Sequence, residues 1–241
     1  KYKKGKENHF FKHRTCERHT TNEGYEAEII EYLGVYNCTI RLNDEHNTIL
    51  KERCYKSIVK GVVKNPYKRT VFNVGYFGEG IKLTKEYIKV YTAWYLILER
   101  CYGVRDKNNT YKDVVVCEEW HNFQNFVVWY CNNYISGFQI DKDILCPECR
   151  EYSPKFCRFV PSAINVLFIK LKTTHPGIRK KGNRFEVTIC KKYEGTFSTI
   201  EEASRVYKEG KEKYARSLAD KWKEHIDSEI YKITRNYQVE V

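Results

Sequence analysis

Gln139–Asn165 reads QIDKDILCPECREYSPKFCRFVPSAIN. A short alternation at Gln139-Ile140-Asp141 is followed by a long loop with Cys146, Cys149 and Cys157. The chain then enters a helix that carries Asn165. Prolines 147 and 154 interrupt any continuous periodic pattern, so the segment predicts strand, loop and helix in that order.

The flanks extend this pattern. Upstream, Ile88, Tyr91, Tyr95, Leu98 and Tyr102 recur at helical spacing with Trp94 beside them, and so do Trp120, Phe123, Val127, Tyr130 and Tyr134. Val114–Val116 suits a short strand between the two helices. Further upstream, Ile29 and Ile30 mark one strand and Tyr36, Cys38, Ile40 and Leu42 alternate through another. A third strand is expected near Thr48–Leu50, with Asn43-Asp44 and Asn47 as turn residues. The opening KYKKGKENHFFKHR is a basic arm, read either as a disordered tail or as a contact to phosphates. Downstream, Phe185, Val187 and Ile189 alternate, and Thr199-Ile-Glu-Glu202 has capping-box spacing before a helix. Ala203, Val206, Tyr207, Gly210, Tyr214 and Leu218 form that helix's apolar stripe, with a second helix or extension through Trp222 and Ile226.

The expected fold class is α+β. It comprises a basic arm (1–23), a small mostly-β module (24–82), a central helical region holding the strand–loop–helix unit (83–172) and a C-terminal sheet-plus-helix domain (173–241).

Lys and Arg total 43 against 31 Asp and Glu, a net charge of +12. Such a surface favours a polyanionic partner, because its cations displace counterions from phosphates. The 20 Tyr residues add polar-tipped rings to that surface. No apolar run approaches the ~20 residues a bilayer span needs, and no signal-peptide core opens the chain, so a soluble, cytoplasmic protein without a membrane partner is expected. The 10 cysteines are scattered, several in apolar patterns, and read mostly as reduced thiols. Phosphate-binding P-loops, dinucleotide fingerprints, HExxH pairs and GxSxG elbows do not occur, which removes the commonest other enzyme classes.

Gly177-Ile178-Arg179, Arg184-Phe185-Glu186-Val187, Gly195-Thr196-Phe197, Thr199, Glu201-Glu202-Ala203 and Tyr207 occur in order. Through them residues 177–207 resemble the three-stranded-sheet-plus-helix DNA-binding domain of plant ethylene-response factors (the APETALA type). That domain also occurs in phage and mobile-element endonucleases. Glu194 departs from the pattern, which has an apolar residue there. AWYLILERCYG (93–103), YKDVVVCEEWHNFQNF (111–126), DKDIL (141–145), YSPKFCRFVPSAIN (152–165) and VYKEGKEKYARSLADKW (206–222) widen the likeness. Together they resemble phage HNH endonucleases ending in such a domain, over roughly residues 55–241.

The resemblance implies that the C-terminal sheet lies against double-stranded DNA. Arg179, Arg184 and Lys191 are then base or phosphate contacts, and Lys181 and Arg158 are further DNA-binding candidates. Guanidinium reads guanine edges bidentately, whereas ammonium serves as a point charge on phosphate. The resemblance also implies a ββα-metal site in which a strand His activates water beside one divalent cation. Here Lys142 stands at the His position. Asp141 and Asp143, on one face of the strand, would hold Mg2+ or Mn2+ while Lys142 points away. Asn165 would complete the site as the third catalytic element, with helix packing or capping as its structural alternative; for Asp141 the alternative is a structural turn or a salt bridge to Lys142 or Arg158. His121 and His175 flank the segment as substitute bases, though no spacing requires either. Cys146-Pro-Glu-Cys149 with Cys157 is half of a zinc knuckle. Its loop reads as reduced thiols, with structural Zn2+ as the alternative. Relatives carry Gly-Asn-type residues there. The implied activity is metal-dependent phosphodiester hydrolysis in a phage-infected host cell. Non-catalytic DNA binding on a degenerate fold, or inhibition of a host protein, are the competing functions.

Overall fold

The computed structural model describes residues 14–104, 111–169, 173 and 175–239. It is a mixed α+β protein with several small sheets and, among the described residues, six α-helices. The described residues fall into two compact units, one within Lys1–Lys68 and Tyr76–Glu79, the other within Arg69–Gly75 and Gly80–Val241.

The first unit is an antiparallel meander of β1 (Arg18–Thr20), β2 (Glu26–Tyr32), β3 (Cys38–Leu42) and β4 (Ile49–Arg53), closed by the short helix α1 (Tyr55–Val59). Ala27 pairs with Leu42 and Ile29 with Ile40. The period of two sends these side chains to one face, where they bury with Leu50, Ile58 and Val63. The turn after β3 is tied by Asp44, whose carboxylate accepts Thr48 N–H at 2.7 Å, the Thr48 hydroxyl at 2.6 Å and Asn65 Nδ2 at 2.7 Å. Two expectations change here. The basic arm does not extend to residue 23, because β1 already pairs with β2 from Arg18. Residues 69–75 leave the β module for the second unit. The first 13 residues of the arm lie outside the described residues.

In the second unit α2 (Ile88–Tyr102) and α3 (Phe123–Asn133) bring together an aromatic core. Trp94 is buried and its Nε1–H donates to the Trp120 carbonyl at 2.7 Å. The buried face of α2 is Val90, Trp94, Ile97 and Leu98, so the stripe is rotated from the expected one, and Ile88 and Tyr95 are exposed. On α3 Phe126 joins the core, while Tyr134 caps the helix at the surface. The following elements are β5 (Val115–Val116), β6 (Phe138–Asp141), β7 (Glu151–Tyr152), β8 (Arg158–Pro161) and α4 (Ser162–Leu167). β5 pairs parallel with β7; β6 pairs antiparallel with β8, and α4 leaves directly from β8. The central segment thus forms a ββα unit.

β9 (Ile178–Lys181), β10 (Arg184–Ile189) and β11 (Lys192–Phe197) form an antiparallel sheet, ordered β11-β10-β9. Then come α5 (Ile200–Trp222) and α6 (Ser228–Arg235). Thr199 caps α5, its hydroxyl accepting Glu202 N–H at 3.2 Å. The start of α5 packs on the sheet: Ala203, Val206 and Tyr207 meet Val187, Ile189, Phe185 and Phe197. Its end packs on the ββα unit: Tyr214, Leu218 and Trp222 meet Ile144, Val160 and Ile164. The expected boundary at residue 172 therefore separates two cores that share one helix inside a single compact unit. Among the described residues no helix is long and apolar enough to cross a membrane.

Candidate ββα centre and nucleic-acid interface

β6 ends at Asp141, opposite Arg158 of β8. Asp143 therefore stands in the turn beyond the strand and does not share a strand face with Asp141. Oδ1 of Asp141 accepts the backbone N–H of Asp143 at 2.9 Å and of Ile144 at 2.8 Å. This is the Asx-type turn that releases the chain from the sheet. Burial raises the Asp141 carboxyl above its ordinary range, the neighbouring Asp143 charge adds to that, and the two N–H groups and Lys142 oppose it. Asn165, on α4, reaches back to this strand, its Nδ2 donating to Gln139 Oε1 at 3.1 Å.

Lys142 does not point away into solvent. Its side chain is 5% exposed, and Nζ donates to Asp143 Oδ1 at 2.5 Å while facing the Tyr152 ring at 5.6 Å. A buried ammonium needs a counter-charge, and Asp143 supplies it. The donors open to a divalent cation are Asp141 Oδ2 and, once Lys142 has withdrawn, Asp143. In the arrangement seen, the ammonium holds the place on Asp143 that such a cation would take, so the pair does not fit the ion as it stands. The two flanking histidines are placed among other residues. His121 has a ring Nε2 3.0 Å from the Val116 carbonyl, and burial lowers its pKa. His175 lies beside the C-terminal sheet, where it lines a cavity with Gly177, Ile178 and Phe185.

The loop departs from a run of reduced thiols. Cys146 and Cys149 form a disulfide. The turn closed by Cys149 N–H on the Cys146 carbonyl at 3.0 Å brings their Cα atoms to 5.3 Å, within disulfide reach. Cys157 remains a free, buried thiol, its pKa pushed up to about 12 by burial. Among the described residues no three His, Cys, Asp or Glu side chains are grouped to hold a metal ion.

Arg158, a DNA-binding candidate from sequence, is spent internally. Nε donates to Asp227 Oδ2 at 3.1 Å, and Nη1 donates to the carbonyls of Pro154, Lys155 and Cys157. The guanidinium staples the loop to the N-cap of α6. Burial alone would raise the Asp227 carboxyl, but the N–H groups of Glu229 and Ile230 and the Arg158 charge outweigh it and hold the pKa below the ordinary Asp value. A depressed folded pKa gives stability that is present above the unfolded value and lost as pH falls through the folded one. Thermal melts from about pH 6 to about pH 3 are therefore expected to show an acid loss that Asp227→Asn reduces. An unchanged acid limb in the variant would remove this pair from the explanation.

The C-terminal sheet turns Phe185, Val187 and Ile189 toward α5, and so its other face outward. Register places Lys181 opposite Arg184, Arg179 opposite Glu186, and Glu186 opposite Thr196 on that outer face. Arg179, Lys181 and Arg184 are exposed. Arg184 Nη2 donates to the Thr196 carbonyl at 3.2 Å, which lays its guanidinium across the sheet. Lys181 is paired with Glu186 at 2.8 Å, and the Tyr193 and Thr196 hydroxyls meet at 2.6 Å. Lys191 sits apart at the hairpin tip, where both Cys190 (φ 49°) and Lys191 (φ 69°) take the left-handed conformation of a two-residue turn.

No protein-family model, curated protein or solved structure matches this chain.

The structure brings together Asp141, Lys142, Asp143, Gln139 and Asn165 at one centre, and Arg179, Lys181 and Arg184 on one sheet face. It ties Arg158 through Nε and Nη1 into internal contacts. Sequence reasoning missed the Gln139–Asn165 contact, the burial of Lys142 and the carboxylate of Glu186 among the sheet cations. The last was readable, because Glu186 lies two residues from Arg184 on the same strand face.

Proposed function

We propose that this chain binds double-stranded DNA and is of the HNH endonuclease group, with the β9–β11 sheet as its reading surface and the ββα unit set against a phosphodiester. One observation supports the reading: the sheet with the cation-bearing outer face shares α5 with a ββα unit whose first strand runs out into Asp141-Lys142-Asp143. Arg179, Lys181 and Arg184 outnumber the Glu186 carboxylate between them and suit phosphate and guanine edges, and the chain's net charge of +12 has the same sign.

Metal-dependent hydrolysis is the activity this group implies. A Mg2+ or Mn2+ ion held by Asp141 and Asp143 would require Lys142 to release Asp143 first, because the ammonium is on that carboxylate in the structure. This chain's own residues supply the turn geometry, the Asn165–Gln139 brace and the Lys142 counter-charge. The second reading is DNA binding without cleavage. The Lys142–Asp143 pair favours it, since that ammonium occupies the base position and competes with a cation.

Supercoiled plasmid incubated with Mg2+ or Mn2+ separates the two. On the hydrolytic reading the parent nicks and the Asp141→Ala/Asp143→Ala variant does not. Binding without nicking on any duplex, the preferred site included, would establish the second. A Lys142→His variant that gains nicking would place the deficit at the missing base.

A further inference from the structure

We infer that α5 is a fixed spacer, which sets a constant offset between the base pairs read by the β9–β11 sheet and the phosphodiester facing the ββα unit. This rests on the DNA-binding reading above and adds a geometry to it.

α5 runs unbroken from Ile200 to Trp222. Ala203 and Tyr207 belong to the core under the sheet, whereas Tyr214 and Leu218 belong to the core under the ββα unit. These positions recur at helical spacing, so both bodies lie on one side of the helix, side by side along its axis. The sheet then turns its cation-bearing face away from α5.

Among the described residues, a further link beside α5 joins the two cores. α6 runs back antiparallel to α5, with Arg235 on Asp220 at 2.6 and 2.7 Å. Ile230 is buried in the core of the ββα unit, and Val239, beyond the end of α6, is buried in the core of the sheet. Val239 N–H also donates to Glu212 at 3.2 Å, and Arg158 is tied to Asp227 at 3.1 Å. A body held by one helix can pivot about its last turn. A body held by two antiparallel links cannot swivel without opening one of the two cores.

The axial separation follows from helix geometry. From Ala203 to Leu218 is fifteen residues, roughly 22 Å at about 1.5 Å per residue. At about 3.4 Å per base pair, this is on the order of six or seven base pairs for a helix lying along the duplex, and fewer for one that crosses it.

The test uses the full chain and a duplex that it selects from a random pool. Lys155, exposed in the loop beside β8, is replaced by the photocrosslinker p-benzoylphenylalanine, and its crosslinks are mapped against the footprint on the same duplex. The expected result is crosslinking confined to one or two neighbouring nucleotides, at an offset that stays constant when the flanking sequence is changed. In a Lys213→Pro/Val239→Asp background, which interrupts both links, the crosslinks should spread while the footprint persists. Crosslinks scattered over half a helical turn in the unbroken protein, or a footprint without crosslinks, would overturn the offset and leave DNA binding standing. A pool that yields no protected duplex would overturn both. The unbroken protein alone decides the matter, so a variant that fails to fold does not.

Discussion

Replacing Gly177 by alanine is expected to destabilise the second unit by about 3 kcal/mol or more. Two costs combine there. Gly177 has φ of +74°, a conformation that strains any residue with a Cβ. The added Cβ would also stand 2.2 Å from Tyr207 Cε2 and 2.6 Å from the Thr188 carbonyl oxygen. Neither neighbour gives way easily. Thr188 belongs to the central strand, and its N–H is already bonded to the Gly177 carbonyl at 2.8 Å. Tyr207 is buried against the sheet, with its hydroxyl accepting from Lys211 at 3.2 Å. Because Tyr207 lies on α5, a displaced ring loosens the helix that also covers the ββα unit. The destabilisation should then appear in one cooperative urea transition, with a lower midpoint and an unchanged slope. Gly182→Ala is the control. Gly182 has φ of +60° and nothing within 4 Å, so it carries the backbone cost alone. Equal destabilisation at the two positions would show that crowding against Tyr207 and Thr188 costs nothing.

What was legible in the chain, and what was not, follows from how far apart the deciding partners lie. β3 and β10 are visible in period-two alternation, at Cys38-Ile40-Leu42 and Phe185-Val187-Ile189, because each packs one face against a core. The cap at Thr199 and much of the stripe along α5 are local signals and are found, with Ala215 and Ala219 buried beside the expected Ala203, Tyr207 and Leu218. β1 is invisible for the opposite reason: Arg18-His19-Thr20 contains no apolar residue and is a strand only because β2 pairs with it. The phase of α2 misleads because tyrosine serves both surface and core. Tyr95 and Ile88 fit the helical rhythm yet face out, while Trp94 and Ile97 take the interior. The two cores beneath α5 read as two domains because a stripe does not announce where its partner changes. At the candidate site, identities and order were readable but commitments were not. Arg158 looks like any surface cation until Asp227, sixty-nine residues away, claims it. Lys142 looks solvated until the loop folds over it.

If the proposed DNA-binding reading holds, the double variant Arg179→Ala/Arg184→Ala is expected to abolish most of the affinity for a selected duplex, at about 1–3 kcal/mol for each arginine that reads a base edge. The two are not equivalent to the neighbouring Lys181. That ammonium is paired with Glu186 at 2.8 Å, so its removal costs affinity by leaving that carboxylate uncompensated and does not delete a base contact. Arg179 stands opposite Glu186 in register, while that carboxylate is taken up by Lys181. Arg184 spends one donor on the Thr196 carbonyl, which keeps four of its five N–H donors for the duplex. Glu186 supplies the opposite test. Its carboxylate lies among these cations and repels phosphate, so Glu186→Gln should tighten binding to any duplex, selected or not. Salt separates the two kinds of effect. Removing a side chain that neutralises a phosphate should reduce the slope of log K against log salt by about 0.9, whereas removing one that reads a base edge lowers affinity for the selected duplex and leaves the slope nearly unchanged. Electrophoretic titrations of the double variant, of Arg184→Ala, Lys181→Ala and Glu186→Gln at several salt concentrations check this directly. Should Lys181→Ala cost as much as Arg184→Ala, and Glu186→Gln change nothing, the outer face of this sheet is not the surface that meets DNA.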